Sequence, residues 1–351
     1  MRVPKSLHNA WQRHRSNVPL GVNIVETNTG LPTDPEHIAS QNTTITSSLT
    51  EIRPMTYEEI SSAIGSADDA ERQLVDRWAG AGFVIVRQLL LPEVTRRLGE
   101  IAQFTLAQWR QCNPETGKPG GDDEATTMRH LNHPGYSRQD SLALSQMLSA
   151  CADRRILGVA SALLSSTPLF RCTSLFFNPL ANSRDGGWHR DSQFHRPDEQ
   201  EEKQMILAGG DVGRSIQLQI ALVPSDDIEV VPGSHLRWDT DAEYAIRRAE
   251  AGSNNTSGDM PDAMRVALEP GDAVAFNPLG LHRGRYHTDR PRRTLMLTYT
   301  CSHHPRFDYF SNQPWFDESG YLDGLQPAVQ EFFEKFVDQY GPEWRKNGDE
   351  S

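Results

Sequence analysis

The stretch Trp188-His189-Arg190-Asp191 constrains the fold of this chain more than any other, because it places a histidine and an aspartate two residues apart. In an extended strand alternate side chains share a face, so His189 and Asp191 would point together and Arg190 away. An imidazole and a carboxylate side by side can fill two adjacent positions around a metal ion. Such a pair occurs by chance in many chains, so the metal hypothesis requires a third ligand from elsewhere in the fold.

The overall composition limits the partners of the chain. It has 351 residues, of which 37% are hydrophobic and 23% charged, enough to bury a substantial core. The net charge of −12 and the pI near 5.5 disfavour nucleic acid and anionic membranes, because both carry charge of the same sign. No apolar run approaches the length of a membrane-spanning helix. We therefore expect a small-molecule partner, with an acidic surface that serves solubility rather than the steering of cationic substrates.

Four widely spaced cysteines without a C-x-x-C motif are typical of reduced thiols rather than of a disulfide framework. This pattern favours a cytoplasmic location, where Fe(II) also persists better. Residues 1–16 carry basic side chains but no apolar core, so they do not read as a secretory signal. A basic amphipathic transit peptide stays open as an alternative.

The chain divides into an N-terminal extension, one large domain and a short tail. Residues 1–65 form the extension, whose first part is polar and rich in Asn, Thr and Ser, as in a partly irregular arm. Such an arm could pack on the body or on a second subunit, which would give a homo-oligomer. Residues 66–340 carry the elements of a single domain, and residues 341–351 follow as a tail.

Helical patterns frame the domain at both ends. We predict a helix capped by Ser66, a second helix beginning at Pro92, and a helical region over 142–164. A C-terminal helix over about 327–340 carries an apolar stripe, which favours packing over ligand binding. Residues 112–140 are rich in Pro and Gly, and this segment is either a lid over a site or a solvated loop.

The second half of the domain alternates short apolar strands with turns. Strands are predicted around His189 and at 170–177, 215–223, 228–231, 264–268, 273–277 and 293–300. Short strands separated by turns and framed by helices indicate a mainly β fold with flanking helices, built as a jelly-roll barrel or a sandwich. Such a fold brings strands that are distant in sequence together at one mouth, as a third metal ligand requires.

Two histidines compete for the third ligand position, and His282 is the stronger candidate. It follows an apolar strand and a Pro/Gly turn, whereas His287 stands too close to the arginines that follow it. Arg293 opens an otherwise apolar strand, and a buried guanidinium requires a carboxylate partner. A planar guanidinium can hold the distal carboxylate of a 2-oxoacid cosubstrate through two hydrogen bonds. Arg292 points to the opposite strand face, so we expect it to be a surface charge.

The chain resembles the phytanoyl-CoA dioxygenase (PhyH) family in the order and spacing of four features, namely His189-x-Asp191, the turn Pro232-Gly233-Ser234-His235, Gly271-Asp272 before a strand, and His282 followed by Arg293. The resemblance covers about residues 70–305. It implies a double-stranded β-helix of cupin-like form and an Fe(II)- and 2-oxoglutarate-dependent oxygenase. His189, Asp191 and His282 would then bind iron, and Arg293 would bind the far carboxylate of 2-oxoglutarate.

Two positions depart from the pattern of that family. Asn178 precedes Pro179 where members often have Lys-Pro, and Gly284 stands where many carry a hydroxyl two residues after the distal histidine. We treat Asn178 and Gln219 as candidates for further contacts with 2-oxoglutarate. Gln217 and Gln219 share one face of a predicted strand, which either lines the cavity or faces solvent.

The resemblance implies Fe(II) as cofactor and 2-oxoglutarate and O₂ as cosubstrates, with release of succinate and CO₂. The presence of Asp191 favours hydroxylation of an unactivated C–H bond over halogenation, because halogenating relatives replace this carboxylate by Gly or Ala. Desaturation, epimerisation and ring formation stay open. Two rival classes are a cupin-like metalloenzyme, such as an isomerase or an oxygenase without 2-oxoglutarate, and an inactive barrel used for binding. The first would not need a buried Arg293, and the intact ligand set argues against the second.

Overall fold

The computed structural model describes residues 55–56, 69–138, 140–196, 198–209 and 214–349, which form two β-sheets with helices around them. The strands are β1 (Met55–Thr56), β2 (Phe83–Arg87), β3 (Thr127–Arg129), β4 (Pro168–Phe177), β5 (Arg184–Asp185), β6 (Ser215–Ala221), β7 (Ser225–Val230), β8 (Met264–Leu268), β9 (Ala273–Phe276), β10 (His282–Tyr286) and β11 (Arg293–Cys301). The α-helices are α1 (Asp69–Ala81), α2 (Pro92–Gln111), α3 (Ser141–Cys151), α4 (Arg154–Leu164), α5 (Ser192–His195), α6 (Glu199–Leu207), α7 (Asp241–Arg247), α8 (Ala249–Gly252) and α9 (Pro327–Asp349). Short 3-10 turns occupy Pro134–Tyr136, Ser234–Leu236 and Pro314–Asp317.

The two sheets pack face to face. The larger sheet has the strand order β1-β2-β9-β6-β11-β4-β3, and the smaller sheet has the order β5-β10-β7-β8. Neighbouring strands are antiparallel except for β1 and β2. Ile228 and Val266 of the smaller sheet share one buried apolar cluster with Val274 and Phe276 of the larger sheet. The predicted mainly β architecture with flanking helices is confirmed.

Strand β6 shows how alternation in the sequence sets the two faces of the larger sheet. Ile216, Leu218 and Ile220 belong to the main core, which they share with the helices on the outer side. The intervening Gln217 and Gln219 therefore point to the opposite face, into the space between the sheets. Of the two alternatives that the sequence left open for these glutamines, the structure selects the interior.

The C-terminal helix is longer than the sequence predicts. Helix α9 continues through Pro342 to Asp349, so the predicted helix end at about residue 340 is wrong, and residues 341–349, predicted to be part of a tail, are helical. Trp344 is buried and packs on Phe336 with the ring centroids 5.4 Å apart. The burial of this large aromatic side chain outweighs the usual helix-breaking effect of proline.

Most of the predicted N-terminal extension lies outside the described residues, as does the helix cap predicted at Ser66. Within it, Met55–Thr56 forms β1, which pairs in parallel with the end of β2. A role for the arm in forming a homo-oligomer stays a prediction. Among the described helices, none has both the length and the apolar character that crossing a bilayer requires.

Part of the segment 112–140 packs into the body of the domain, so the solvated-loop alternative is wrong for that part, whereas a role as a lid stays a prediction. The segment contains β3, which pairs with β4, and it buries the side chains of His130 and Asn132. The Asn132 amide donates to Gln313 Oε1 at 2.9 Å, and to the Tyr321 hydroxyl at 3.1 Å. These contacts tie the residues after β3 to the segment between β11 and α9.

Candidate metal centre

The backbone brings the two predicted histidine ligands side by side. His189 and His282 exchange a pair of backbone hydrogen bonds, both 3.0 Å long, so they sit directly opposite each other. Their imidazole ring centroids lie 4.3 Å apart. His282 is the first residue of β10, so the ligand from the distant part of the chain arrives by strand pairing, as predicted.

Asp191 reaches the same cluster by a different route from the one the sequence suggested. Its φ of −63° and ψ of −23° are helical, and it immediately precedes helix α5. Its backbone N–H donates to Pro278 O at 2.9 Å. The extended conformation therefore ends before Asp191, and the expectation that His189 and Asp191 share one strand face by simple alternation is wrong. The turn into α5 places the carboxylate beside both imidazoles instead.

The three side chains present a set of metal-ligand atoms to one point. His189, Asp191 and His282 offer atoms that all lie within 4.8 Å of one another. The Nε2 atoms of both histidines are 3.6 Å from Asp191 Oδ1. Separations of this size leave room for an ion bonded to all three.

The histidines are held in the tautomer that a metal requires. Nδ1 of His189 donates to Gly187 O at 2.7 Å, and Nδ1 of His282 donates to Gly280 O at 2.9 Å. Each Nε2 therefore keeps its lone pair facing Asp191. Burial, reinforced by the neighbouring His189, lowers the pKa of His282 to about 4, so this imidazole is neutral near pH 7. Two imidazoles and one carboxylate fit the donor set of a non-haem Fe(II) site.

Gln217 orients the carboxylate of the cluster. From β6, its side-chain amide donates to Asp191 Oδ2, which leaves Oδ1 directed at the histidines. An outer hydrogen bond of this kind typically fixes the orientation of a metal ligand. The alternation along the sequence identified Gln217 as a possible cavity residue. It could not predict this contact, because the approach of the Gln217 side chain to Asp191 depends on the tertiary fold.

Behind the cluster, Arg190 anchors the ligand segment in a buried ionic network. As predicted, it points away from the histidine and aspartate on either side of it. Its guanidinium donates to Asp239 Oδ1 at 2.9 Å and to the carbonyl oxygens of Ser234 and Leu279. Asp239 also accepts from Arg247 at 2.6 Å, and all three charged side chains are fully buried. The network joins the His-x-Asp segment to the turn before His282.

We expect Asp239→Asn to lower the free energy of unfolding by about 3–5 kcal/mol, because it removes the carboxylate that two buried guanidinium groups share. Urea denaturation of the metal-free protein, followed by circular dichroism, measures this change. Asp241→Asn, at an exposed position in the first turn of α7, is the control and should change the value by less than about 1 kcal/mol. Equal, small losses in both variants would contradict a structural role for the network.

The structure reverses the expected roles of two neighbouring arginines. Arg293 shares its strand face with Leu295 and donates through Nε and Nη2 to Gln103 Oε1 of α2, at 3.0 and 2.7 Å. It therefore lies on the helix side of the larger sheet. Arg292 faces the interior and is only 1% exposed. The predictions that Arg293 enters the pocket and that Arg292 is a surface charge are both wrong.

Arg292 lies in an aromatic pocket beside β10. Its guanidinium carbon is 4.4 Å from the centroid of the Tyr286 ring and 5.3 Å from that of Phe176. Nη1 donates to Arg285 O at 2.6 Å, whereas the buried Nε has no hydrogen-bond partner among the described residues. The Asp227 carboxylate lies 3.9 Å from Nε, too far for a hydrogen bond. Arg292 therefore still has an N–H group that can donate to an anion inside the fold.

The departure at Gly284 also has a structural explanation. A Cβ atom at this position would lie 2.7 Å from the Tyr286 hydroxyl and 3.0 Å from Arg292 Nη1. Only glycine leaves space for these two groups to approach the strand. The Tyr286 hydroxyl therefore lies close to where a side chain at position 284 would begin.

The other candidate site residues, Asn178, His287 and Gln219, lie in three different places. Asn178 donates to Arg290 O and accepts from the His287 N–H at 3.1 Å, so both ends of its amide hold the turn between β10 and β11. Both polar atoms of the Asn178 amide are thus bonded to backbone groups, and its predicted contact with 2-oxoglutarate stays a prediction. His287 lies 3.0 Å from Asp185 Oδ1 and outside the ligand cluster. Gln219 is buried in the interior, two residues along β6 from Gln217.

A cluster of two histidines and one aspartate between two facing sheets defines a non-haem iron type of site. The family model described as Phytanoyl-CoA dioxygenase (PhyH) matches residues 78–294, and the chain belongs to that family. Fe(II), 2-oxoglutarate and O₂ are accordingly the cofactor and cosubstrates of this chain, which is a non-haem iron, 2-oxoglutarate-dependent enzyme.

Several solved structures resemble the chain at low sequence identity, whereas the search of curated proteins found no match. AviO1 from Streptomyces viridochromogenes Tue57 is 17% identical over 68% of this chain and 98% of that one, with a TM-score of 0.47. EctD from S. alaskensis, with 2-oxoglutarate and 5-hydroxyectoine, is 18% identical over 74% of this chain and 86% of that one, with a TM-score of 0.47. The non-haem α-ketoglutarate-dependent epimerase SnoN from nogalamycin biosynthesis is 19% identical over 66% of this chain and 83% of that one, with a TM-score of 0.41.

Proposed function

We propose that the protein is a dioxygenase that hydroxylates an unactivated C–H bond of a small molecule, with release of succinate and CO₂. We also infer that its two sheets are the halves of a double-stranded β-helix, the jelly-roll form of the cupin-like folds. One observation carries the functional proposal. The metal-ligand group of His189, Asp191 and His282 shares the interior with a buried arginine, Arg292, that lacks a full carboxylate partner.

Three side chains would hold the iron and leave part of its coordination sphere open. His189 and His282 would bind through Nε2, and Asp191 through Oδ1, because their other polar atoms already have partners. When bound, Fe(II) together with 2-oxoglutarate and O₂ supplies the oxidising power for the C–H bond. The protein contributes orientation, and the Phe276 ring, 4.8 Å from that of His282, helps to exclude water.

Arg292 would hold the distal carboxylate of 2-oxoglutarate, the role that the resemblance assigned to its neighbour Arg293. It lies beside Gly284, two residues along β10 from His282, which is a separation of about 7 Å along an extended strand. A five-carbon diacid bound at the metal can span that distance. The Tyr286 hydroxyl next to the guanidinium would give a second hydrogen bond, and Gln219 would line the path between the two ends.

Asp191 distinguishes between reaction types. A carboxylate in this position leaves no vacancy for a halide, which favours hydroxylation over halogenation. Desaturation, epimerisation and ring formation use the same cofactor and cosubstrates, so the nature of the product decides among them.

The net charge and the cysteines support a proposed substrate class and a proposed cellular location. We propose a small-molecule substrate rather than nucleic acid or a membrane surface, in keeping with the net charge of −12. Cys112, Cys151, Cys172 and Cys301 are free thiols, which supports the proposed cytoplasmic location.

A substrate screen scored by succinate release tests the proposed reaction. We expect a true substrate to give equimolar succinate and a product that carries one atom from isotope-labelled O₂. Omission of 2-oxoglutarate is the control and should abolish conversion. Substrate conversion that continues without 2-oxoglutarate would support the cupin-like alternative and contradict the proposal.

A further inference from the structure

Arginine and aromatic side chains alternate through the interior beside strand β4. We call this set the arginine column, and its members in order are Tyr286, Arg292, Phe176, Arg129, Phe310 and Arg171. Their guanidinium carbons lie between 4.4 and 5.5 Å from the neighbouring ring centroids. Contacts of this kind hold guanidinium groups in place without neutralising them.

Arg129 is the middle one of the three arginines in the column and points into the space between the sheets. Its neighbour Met128 is buried in the core on the helix side, so the alternation along β3 directs Arg129 to the inner face. In register, Arg129 pairs with Ser174, Ser174 with Met296, and Met296 with Gln219. These four residues form one row across the larger sheet. Gln217, the partner of Asp191, begins the next row.

The three arginines of the column differ in their anionic partners. Arg171 forms an ion pair with Asp308, and Arg292 has Asp227 nearby. Arg129 donates to the Ser174 hydroxyl at 2.6 Å but has no ion pair with a carboxylate among the described residues. A partly buried guanidinium that has no carboxylate partner is well suited to bind an anionic ligand.

The summed charge of the site with its cofactor and cosubstrate bound also favours an anionic substrate. Asp227, which lies near Arg292, forms an ion pair with Arg290 at 3.2 Å. Fe(II) and Arg292 together bring three positive charges, and Asp191 and doubly charged 2-oxoglutarate bring three negative ones. The cofactor and cosubstrate therefore leave Arg129 as an unbalanced cation. A substrate with one negative charge would neutralise it.

We propose that Arg129 binds a carboxylate of the substrate, so that the enzyme acts on a small organic acid. This inference rests on the proposed function. The row from Arg129 to Gln219 crosses three inter-strand spacings, about 14 Å between backbones. The acid group is thus held at the β3 edge while another carbon of the same molecule faces the metal ligands. Phe310 and Phe176 form apolar walls beside the carboxylate.

Anaerobic titration calorimetry on protein loaded with Fe(II) and 2-oxoglutarate tests the proposal. The probes are a panel of aliphatic and arylalkyl carboxylic acids, each paired with its neutral carboxamide. We expect at least one acid to bind, and its amide to bind at least about 10-fold more weakly. Arg129→Met should weaken the acid about 10- to 100-fold and leave the Kd of 2-oxoglutarate within about 2-fold.

Arg110→Met is the matched control, because Arg110 stacks on Phe177 at 5.2 Å on the helix side of the same sheet. It should change neither affinity. Three results would overturn the proposal: no acid of the panel binds, acids and amides bind equally, or Arg129→Met weakens 2-oxoglutarate alone. The last result would place Arg129 in the cosubstrate site. Binding of 2-oxoglutarate to the iron-loaded wild type separates these outcomes from failure of the proposed function, which would abolish that binding as well.

Discussion

Replacement of His282 by alanine should abolish iron binding and turnover, whereas replacement of His287 should preserve both. His282 presents a neutral Nε2 to the cluster, with its Nδ1 fixed by Gly280 O. His287 contacts Asp185 instead and lies outside the cluster. Loss of a direct ligand should lower iron affinity by more than the roughly 10- to 100-fold typical of outer hydrogen-bond partners.

Equilibrium dialysis against Fe(II) under anaerobic conditions, combined with succinate release, measures both effects. His287→Ala is the matched control, since it removes an imidazole five residues along the same segment. Iron affinity that is unchanged in His282→Ala, or lost in His287→Ala, would show that the ligand set is assigned wrongly.

The second large effect concerns the two adjacent arginines. Arg292→Met should weaken 2-oxoglutarate binding by about 30-fold or more, the lower bound for removing one partner of a buried, hydrogen-bonded charge pair. Arg293→Met makes the same chemical change one residue away, on the face that contacts Gln103. It should leave the Kd within about 2-fold.

Anaerobic calorimetry with 2-oxoglutarate gives both constants, and thermal unfolding shows whether each variant is folded. The opposite result, in which Arg293→Met weakens binding and Arg292→Met has no effect, would contradict the assignment made from the structure. It would mean that Arg293, as the sequence spacing predicted, binds the distal carboxylate of 2-oxoglutarate.

The sequence was sufficient to predict most elements of the fold and to select three candidate ligands that the structure places together. His189, Asp191 and His282 were predicted as ligands from the His-x-Asp spacing and the family resemblance, and their ligand atoms lie within 4.8 Å of one another. Helix α2 begins at Pro92, as the preference of proline for the first turn predicts. Strand β6 follows its alternating pattern of aliphatic and polar residues closely.

Arg292 and Arg293 show what the sequence pattern could not predict. A shift of one residue in register moves a side chain to the other face of a sheet. The entry of the chain into β11 depends on the β10–β11 turn, which Asn178 holds through two backbone contacts. Those contacts are tertiary, and spacing alone could not distinguish Arg292 from Arg293.

Two further errors came from local rules that packing overrides. The apolar stripe predicted a helix over about 327–340, but burial of Trp344 accompanies its continuation to Asp349. The His-x-Asp segment suggested a continuous strand, but Asp191 turns into α5. In both places long-range contacts outweigh the local preference of the backbone.

The central claim is that three side chains bind Fe(II) between the sheets and leave room for 2-oxoglutarate on the metal. Anaerobic titration of iron-loaded protein with 2-oxoglutarate tests it most directly. We expect a visible charge-transfer band that grows with added 2-oxoglutarate, saturates at one equivalent per iron, and is absent in His282→Ala. A protein that retains its iron but shows no band at saturating 2-oxoglutarate would contradict the account.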